Sequence, residues 1–407
     1  MLRTLTTDPQ RRCFRPCGNS GSRCPGQRSF SGASQHTLGA RRAWERMTRT
    51  AHAFRAQPSR ALAAGRRLAR TGCAVVVIAC GDSGSVAPAP PPEQLLPPPA
   101  LESIPYERLG SGKLAFRRVI SDGNYLYVID AGARTVAALN MGRFSADPAL
   151  SPDGTRIAYA AYSGPVQGTA YDVSTKRITG ADSQRVSAFE GQEFSPSWSP
   201  DGQDVYFSSP VAGGIYRQSV SSSPLTPTPV LTGDSHPCRT YSQDSPVSVS
   251  GSGRLAFGCL SAVYTANEDG SDLRALLVRR ETPRPGGPPD AFFAPTWSPD
   301  AQWLAFLRVF EDTTTGAPPL TLAVGVVRAD GSASRLVVSM STGPVVTSSI
   351  GRNYLSLAWS PDGSRLAFNV MPGGASSHIY VVDIDGTGLM QLTTRPDAYD
   401  HSLTWVR

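Results

Sequence analysis

Histidine is scarce in this chain, with five among 407 residues, and only His236, His378 and His401 lie beyond the basic N-terminal region. No two of the three have metal-ligand spacing, so no metal site and little acid–base chemistry are expected. Gly-x-Ser-x-Gly does not occur, which excludes the nucleophile elbow of an α/β-hydrolase. A glycine-rich phosphate-binding loop is also missing. The apolar run from Cys73 to Cys80 is too short to span a bilayer. These absences lead to the expectation of no catalytic residue set and no cofactor.

Lysine is missing from the first 79 residues, where fifteen arginines stand against Asp8 and Glu45, about +13. The whole chain carries +7, which leaves about −6 for the remainder. The basic balance belongs to residues 1–79, the part that folds is acidic, and composition offers no basic face for nucleic acid. Within that region Arg66-Arg67-Leu68-Ala69-Arg70 precedes the apolar run. A charged stretch, a short apolar run and small residues make a secretory signal. Val77-Ile78-Ala79-Cys80 resembles a bacterial lipobox, which implies Cys80 as a lipidated first residue; an ordinary signal and a chance apolar run are the alternatives. Aspartate stands at 82 and not at 81, so the inner-membrane retention pattern is absent and an outer-membrane anchor is expected. Met47 is an alternative start, with residues 1–46 an artefact of gene prediction. Cys13, Cys17 and Cys24 would then carry no meaning, and their spacing fits no zinc site.

Residues 80–105 read as a tether. Pro88, Pro90, Pro91, Pro92, Pro97, Pro98 and Pro99 favour extended polyproline conformation with little to bury. Gly81-Asp82-Ser83-Gly84 matches the surroundings of a chymotrypsin-like nucleophile, but it lies in this tether, where no fold sets a histidine against Ser83.

Beyond the tether a phrase repeats: Trp198-Ser199-Pro200-Asp201-Gly202, Trp297-Ser298-Pro299-Asp300-Ala301, Trp359-Ser360-Pro361-Asp362-Gly363, and a Trp-less copy at Leu150-Ser151-Pro152-Asp153-Gly154. Its residues are those of a hairpin turn, with Pro pre-setting φ, Asp bonding nearby backbone, and Gly taking a left-handed position. Each copy leads into a short β-forming run: Arg156 to Tyr159, Asp204 to Phe207, Trp303 to Phe306, Arg365 to Phe368. A third strand follows, as in His378 to Asp383, then a turn such as Ile384 to Gly388, then Met390 to Thr393. Four short strands per unit at a period of roughly 50 residues match a propeller blade.

Two weaker copies, Ser250 to Gly253 before Arg254-Leu255-Ala256-Phe257 and Gly110 to Gly112 before Lys113-Leu114-Ala115-Phe116, complete the count. Ser402 to Arg407 reads as an inner strand that stops where its turn should begin, and Lys113 to Phe116 supplies the continuation. The expectation is an all-β, six-bladed β-propeller with a composite closing blade made from both chain ends, a closure that removes exposed sheet edges. Ala301 replaces the turn glycine; left-handed geometry there costs on the order of 1 kcal/mol, so a different turn is an alternative.

The Pro-x-Trp-Ser-Pro-Asp-Gly phrase, the Leu-Ala-Phe strand and the Ile379-Tyr380-Val381 segment with its Asp383-x-Asp385-Gly386 turn resemble the repeats of TolB-like six-bladed propellers, over residues 106–407. The resemblance implies the fold and a protein partner, since that family's model member docks onto a peptidoglycan-associated lipoprotein. It is to the family and not to TolB itself, which carries an α/β domain ahead of its propeller that the segment before Tyr106 has no room for.

Loops entering the inner strands should converge on a central face. They contain Phe144, Asp147, Glu193, Phe194, Phe292, Phe293, Asn353, Tyr354, Asp400 and His401, aromatic and acidic groups suited to a polypeptide segment or a sugar; the aromatics are equally suited to packing between blades. Cys238 and Cys259 fall within one blade and could pair in an oxidising envelope. Asp383-x-Asp385-Gly386 echoes a calcium loop but lacks its third acidic position and terminal Glu, and reads as a blade turn. Loops 279–290 and 311–319 are longer than their counterparts. The expected function is a monomeric, non-enzymatic envelope lipoprotein on the periplasmic or surface face of the outer membrane, binding a protein or peptide. One rival is a glycan lyase or hydrolase using Asp147, Glu193, Asp400 and His401. The other is a structural or sensory domain.

Overall fold

The computed structural model describes residues 99–407 except 143–144, 164–169, 188, 190, 238–246, 260–261, 280–290, 312–319, 343–354 and 372–375. Its strands form six four-stranded antiparallel sheets. The chain begins with β1 (Lys113–Ile120), β2 (Gly123–Asp130) and β3 (Thr135–Asn140). The first complete blade is β4 (Ser145–Leu150), β5 (Arg156–Tyr162), β6 (Tyr171–Arg177) and β7 (Gln184–Arg185). The second is β8 (Phe194–Trp198), β9 (Asp204–Ser209), β10 (Gly214–Ser219) and β11 (Thr228–Thr232). In the third, β12 (Ser248–Val249) leads to β13 (Arg254–Cys259), β14 (Ala262–Asn267) and β15 (Arg274–Val278). The fourth has β16 (Ala291–Trp297), β17 (Trp303–Glu311), β18 (Leu320–Arg328) and β19 (Ser334–Thr342). The fifth has β20 (Leu357–Trp359), β21 (Arg365–Val370), β22 (His378–Asp383) and β23 (Met390–Gln391). The last strand, β24 (Tyr399–Val406), then pairs with β1, placing Val406 opposite Lys113 and Trp405 opposite Leu114. The expected composite blade is therefore present, and the ring closes through the two ends of the folded chain.

Six hydrophobic clusters fill the six seams between neighbouring blades. The second strand of each blade explains how. Leu304 and Phe306 pack toward the third blade, whereas Ala305 packs toward the fifth. Leu255 and Phe257 likewise face the second blade while Ala256 faces the fourth. In the closing blade Leu114 and Phe116 face the fifth blade and Ala115 the first. The Leu-Ala-Phe run is a strand buried on both faces, whose period of two sends bulk one way and a methyl the other. The repeat tryptophans join the bulky side. Trp198 and Trp359 reach into the preceding blade, donating from Nε1 to Ala149 O and Thr296 O, each at 3.0 Å.

The Ser-Pro-Asp-Gly turn closes on itself. Gly202 N donates to Ser199 O at 2.9 Å, Ser199 Oγ to Asp201 Oδ1 at 2.6 Å, and Gln203 N to the same oxygen at 3.0 Å. The serine hydroxyl and the Gln203 N–H hold the Asp201 carboxyl below its usual range. Ala301 keeps the turn, with φ of 56° and its N–H on Ser298 O at 2.9 Å.

Packing against the propeller starts ahead of Tyr106. Tyr127 Oη donates to Pro99 O at 2.6 Å, and Leu101 and Ile104 pack on the cluster shared by the fifth and closing blades. A single helical turn, α1 (Tyr106–Leu109), follows, and Arg108 donates across the seam to Gly388 O at 2.7 Å.

Two stability measurements check this account. Ala301→Gly relieves a left-handed alanine without changing the turn and should raise stability by about 1 kcal/mol in denaturant unfolding. Ala305→Leu puts bulk on the thin side of a filled seam and should cost about 1–3 kcal/mol in the same assay.

Candidate ligand channel on the propeller axis

The residue just before each repeat Trp, or its Leu or Val counterpart, is small: Ala149, Ser197, Ser248, Thr296, Ala358 and Thr404. The strand period of two sets these six on the strand face opposite the larger neighbour, where Ala149 and Ala358 also pack on the adjoining seam clusters. They line a cavity of about 1710 Å³ along the propeller axis. The inner strands begin at one rim of this channel, called the upper rim, and end at the lower rim in the Ser-Pro-Asp turns. At the lower rim Asp153 and Asp201 belong to the cavity wall, but their carboxylates are engaged by their own turns.

Four inner strands share a distortion near the upper rim. Asp147, Ser195, Ala294 and Ser402 have φ of 48°, 54°, 46° and 55°, each three residues before the Leu or Trp of the repeat. The pairing register slips at the same places, between Ala146 and Ala149, Phe194 and Ser197, Phe293 and Thr296, and opposite Ala115 and Arg117. These are β-bulges, and Pro148, Pro196 and Pro295 occupy them because the bulge does not need their missing N–H. The sequence signal was present in the proline two residues before Trp; its role as a bulge former was not read from it.

The bulges set the polar groups of the rim. Asp147 accepts a hydrogen bond from Ser195 N of the next blade at 3.3 Å. Burial pushes its carboxyl up, against the pull of the Arg117 cation and of Ser195. Arg117 lies in the same wall, with Nε donating to Asn124 Oδ1 at 2.7 Å. Asn124 is fixed in turn by donating to Gly142 O and Ser145 O at 3.0 and 2.8 Å. Neither Arg117 nor Ser195 was singled out from sequence, and nothing in their local pattern marks them.

Of the expected central-face residues, Asp147, Phe194, Phe292 and Phe293 reach the channel wall, and Glu193, Asp400 and His401 do not. Phe293 is 6% exposed and spends its surface in the cluster between the fourth and fifth blades. Asp400 is fully buried and held by Arg118, its cross-strand partner, through Nε at 2.7 Å and Nη2 at 2.8 Å. Arg118 also meets Glu102 at 3.3 Å and lies over the rings of Phe116 and Tyr127. A carboxylate removed from water needs such a cation, which ties Asp400 to the closing seam and takes it out of the channel. His401 is buried beside Ser402, with Nδ1 at 2.9 Å from Oγ, and burial together with Arg117 holds its pKa well down. Glu193 is buried between the first and second blades, and Ser187 Oγ donates to its Oε2 at 2.8 Å. Burial, reinforced by Asp172, raises its pKa to about 7. Glu193 and Asp400 occupy equivalent positions: Glu193 N donates to Tyr171 O at 2.9 Å and Asp400 N to Ser377 O at 3.1 Å, each beside a parallel bridge.

Phe144, Asn353, Tyr354, Cys80 and Cys238 lie outside the described residues, as do most of loops 279–290 and 311–319. Cys259 is disulfide-bonded. Among the described residues no group of three His, Cys, Asp or Glu side chains is arranged to hold a metal ion. No helix of the described residues is long and apolar enough to cross a membrane.

The sequence matches no family model and no curated protein. Solved structures do resemble it. TolB from Acinetobacter baumannii superposes with a TM-score of 0.53 at 16% identity, over 72% of this chain and 66% of that one. A putative TolB from Agrobacterium tumefaciens gives 0.47 at 15% identity, over 73% of this chain and 100% of the other. An oligogalacturonate lyase in complex with manganese gives 0.38 at 10%, over 70% and 86%. The fold is that of the TolB-like six-bladed propellers, and at these identities the likeness is one of fold.

Two substitutions separate the buried acids. Arg118→Leu leaves Asp400 as an uncompensated charge and should cost about 3–5 kcal/mol in denaturant unfolding. Glu193 has a raised folded pKa, so it favours the fold when protonated; that contribution declines as pH rises from the ordinary carboxyl range through about 7. His401 acts in the opposite sense, since a buried neutral imidazole loses stability as pH falls through the unfolded value of 6.5. Glu193→Gln isolates the first effect: its stability gain over the parent, read as a difference in melting temperature, should grow from about pH 5 to about pH 8 and approach about 3 kcal/mol.

Proposed function

We propose that this protein is an exported bacterial lipoprotein, anchored through Cys80 to the outer membrane by residues upstream of the propeller, and that the axial channel holds a segment of an envelope protein or peptide. The observation that carries the reading is the ring of six small residues, which keeps a cavity of about 1710 Å³ open along the axis. Hydroxyls of Ser197, Ser248, Thr296 and Thr404 give that wall hydrogen-bonding capacity without charge, a surface suited to peptide backbone. Arg117 and Asp147 at the upper rim add one group of each sign for orientation. The disulfide state of Cys259 fits an oxidising compartment, with Cys238 as its proposed partner. A propeller monomer with its ring already closed supplies such a channel without assembly.

The glycan-enzyme reading has weaker support. Glycoside hydrolysis needs two carboxyl groups facing one bond, and of Asp147, Glu193, Asp400 and His401 only Asp147 stands in the channel wall. The other two acids are taken up by seams.

Crosslinking in cells followed by affinity purification tests the reading. Ser197→Trp with Thr296→Trp fills the ring from two sides and should reduce partner capture at least about tenfold while the circular dichroism of the propeller is kept. Unchanged capture by the folded double variant removes the channel from consideration. Cys80→Ser should move the protein from the membrane fraction to the soluble fraction; retention in membranes counts against the anchor.

A further inference from the structure

Glu193 closes the connection between the first and second blades, immediately before β8, and is 0% exposed. The charged groups that face it are on the first blade. Asp172 on β6 is buried, and Arg185 on β7 contacts its Oδ2 at 2.7 Å from a half-exposed position. Ser187 satisfies Oε2 of Glu193, but Oε1 receives no hydrogen bond, and Asp172, next to the Tyr171 whose carbonyl takes the Glu193 N–H, raises the pKa of the same carboxyl. Two buried carboxyl groups thus adjoin each other, and the half-exposed Arg185 guanidinium contacts Asp172. A proton held between them makes the group neutral and gives Oε1 its hydrogen bond; its loss leaves a net negative charge.

The backbone beside this pair is what ties the two blades at the upper rim. Glu193 N donates to Tyr171 O at 2.9 Å and Tyr171 N to Gly191 O at 3.2 Å. The next two residues reach the channel: Phe194 lies in its wall, with its ring 5.3 Å from that of Tyr171, and Ser195 N holds the carboxylate of Asp147. Through Asp147 the connection also touches the charge of Arg117. The equivalent carboxylate of the closing seam, Asp400, is held by the fully buried Arg118 guanidinium at two contacts, and Glu102 meets the same cation at 3.3 Å.

We propose that Glu193 and Asp172 form a proton-operated latch on the upper rim of the channel, closed while they share a proton and released when they do not. Release frees the Gly191 to Ser195 connection from the first blade, and Phe194 and the Asp147 contact move with it. The latch is a property of the rim alone and holds whatever the channel binds.

Hydrogen exchange on the full chain, corrected for intrinsic rates, tests it at about pH 5.5 and about pH 8. Amide protection of Tyr171 and Glu193 should fall at least about tenfold between the two, relative to Val205 and Phe207 in the seam beneath. Glu193→Gln, whose amide donates to Asp172 without a proton, should keep protection at both. Asp172→Asn leaves Glu193 to pair with Arg185 and should move the transition to lower pH. Equal protection of the parent at both conditions, a loss in Glu193→Gln matching the parent's, or an unmoved transition in Asp172→Asn would each overturn the proposal.

Discussion

The ring depends on an asymmetry within one strand. The second strand of each blade carries two bulky residues on one face and, in five blades of six, an alanine on the other, so that every seam receives bulk from one neighbour and a thin surface from the other. Flat sheets of equal bulk on both faces would not interdigitate at interior density. The second blade is the exception: Tyr206 stands where the others have alanine, fully buried against Val247, Leu255 and Phe257. That blade abuts the third, whose inner strand β12 has two residues and a valine in place of tryptophan. A thicker side chain from one blade fills what a thinner inner strand from the next leaves open.

The wall of the channel follows from the same alternation. With the repeat tryptophan committed to one seam, the residue before it lies on the other face of the strand, and small side chains there in all six blades leave the axis clear. The bulges then break the alternation above the ring, where the charged groups of Arg117 and Asp147 join the wall. The arrangement makes the channel a by-product of how the blades pack, available for use by a partner without any residue being set aside to build it.

Sequence was a good guide wherever the determinant was local. The turn, the strands that follow it and the number of blades were legible because Ser199, Asp201 and Gly202 act on atoms within five residues of themselves, and the composite closure was legible because β24 and β1 are complementary fragments of one repeat. The chemistry of the acids was not. Asp400 finds Arg118 across 282 positions, and the fate of Glu193 rests on Asp172 and Ser187, which belong to another blade. A carboxylate at the start of an inner strand looks the same in sequence whether it faces the axis or a seam. The bulge three residues ahead of the repeat Trp or Leu shifts the side-chain alternation, and sequence marks it by a proline in three blades and by none at Ser402-Leu403.

Each seam joins the bulky face of one blade to the thin face of the next, so no blade pairs with its neighbour by a twofold relation. Contacts of this head-to-tail kind have no internal reason to stop; they close into a ring if the rotation per unit divides a full turn and otherwise propagate without limit. Here the sixth unit is split between the two ends of the folded chain, with β24 supplying the inner strand to β1. The fold is in that sense a polymer of one repeat whose growth is terminated by its own first unit, and the strand pairing of Trp405 with Leu114 is its chain-termination step.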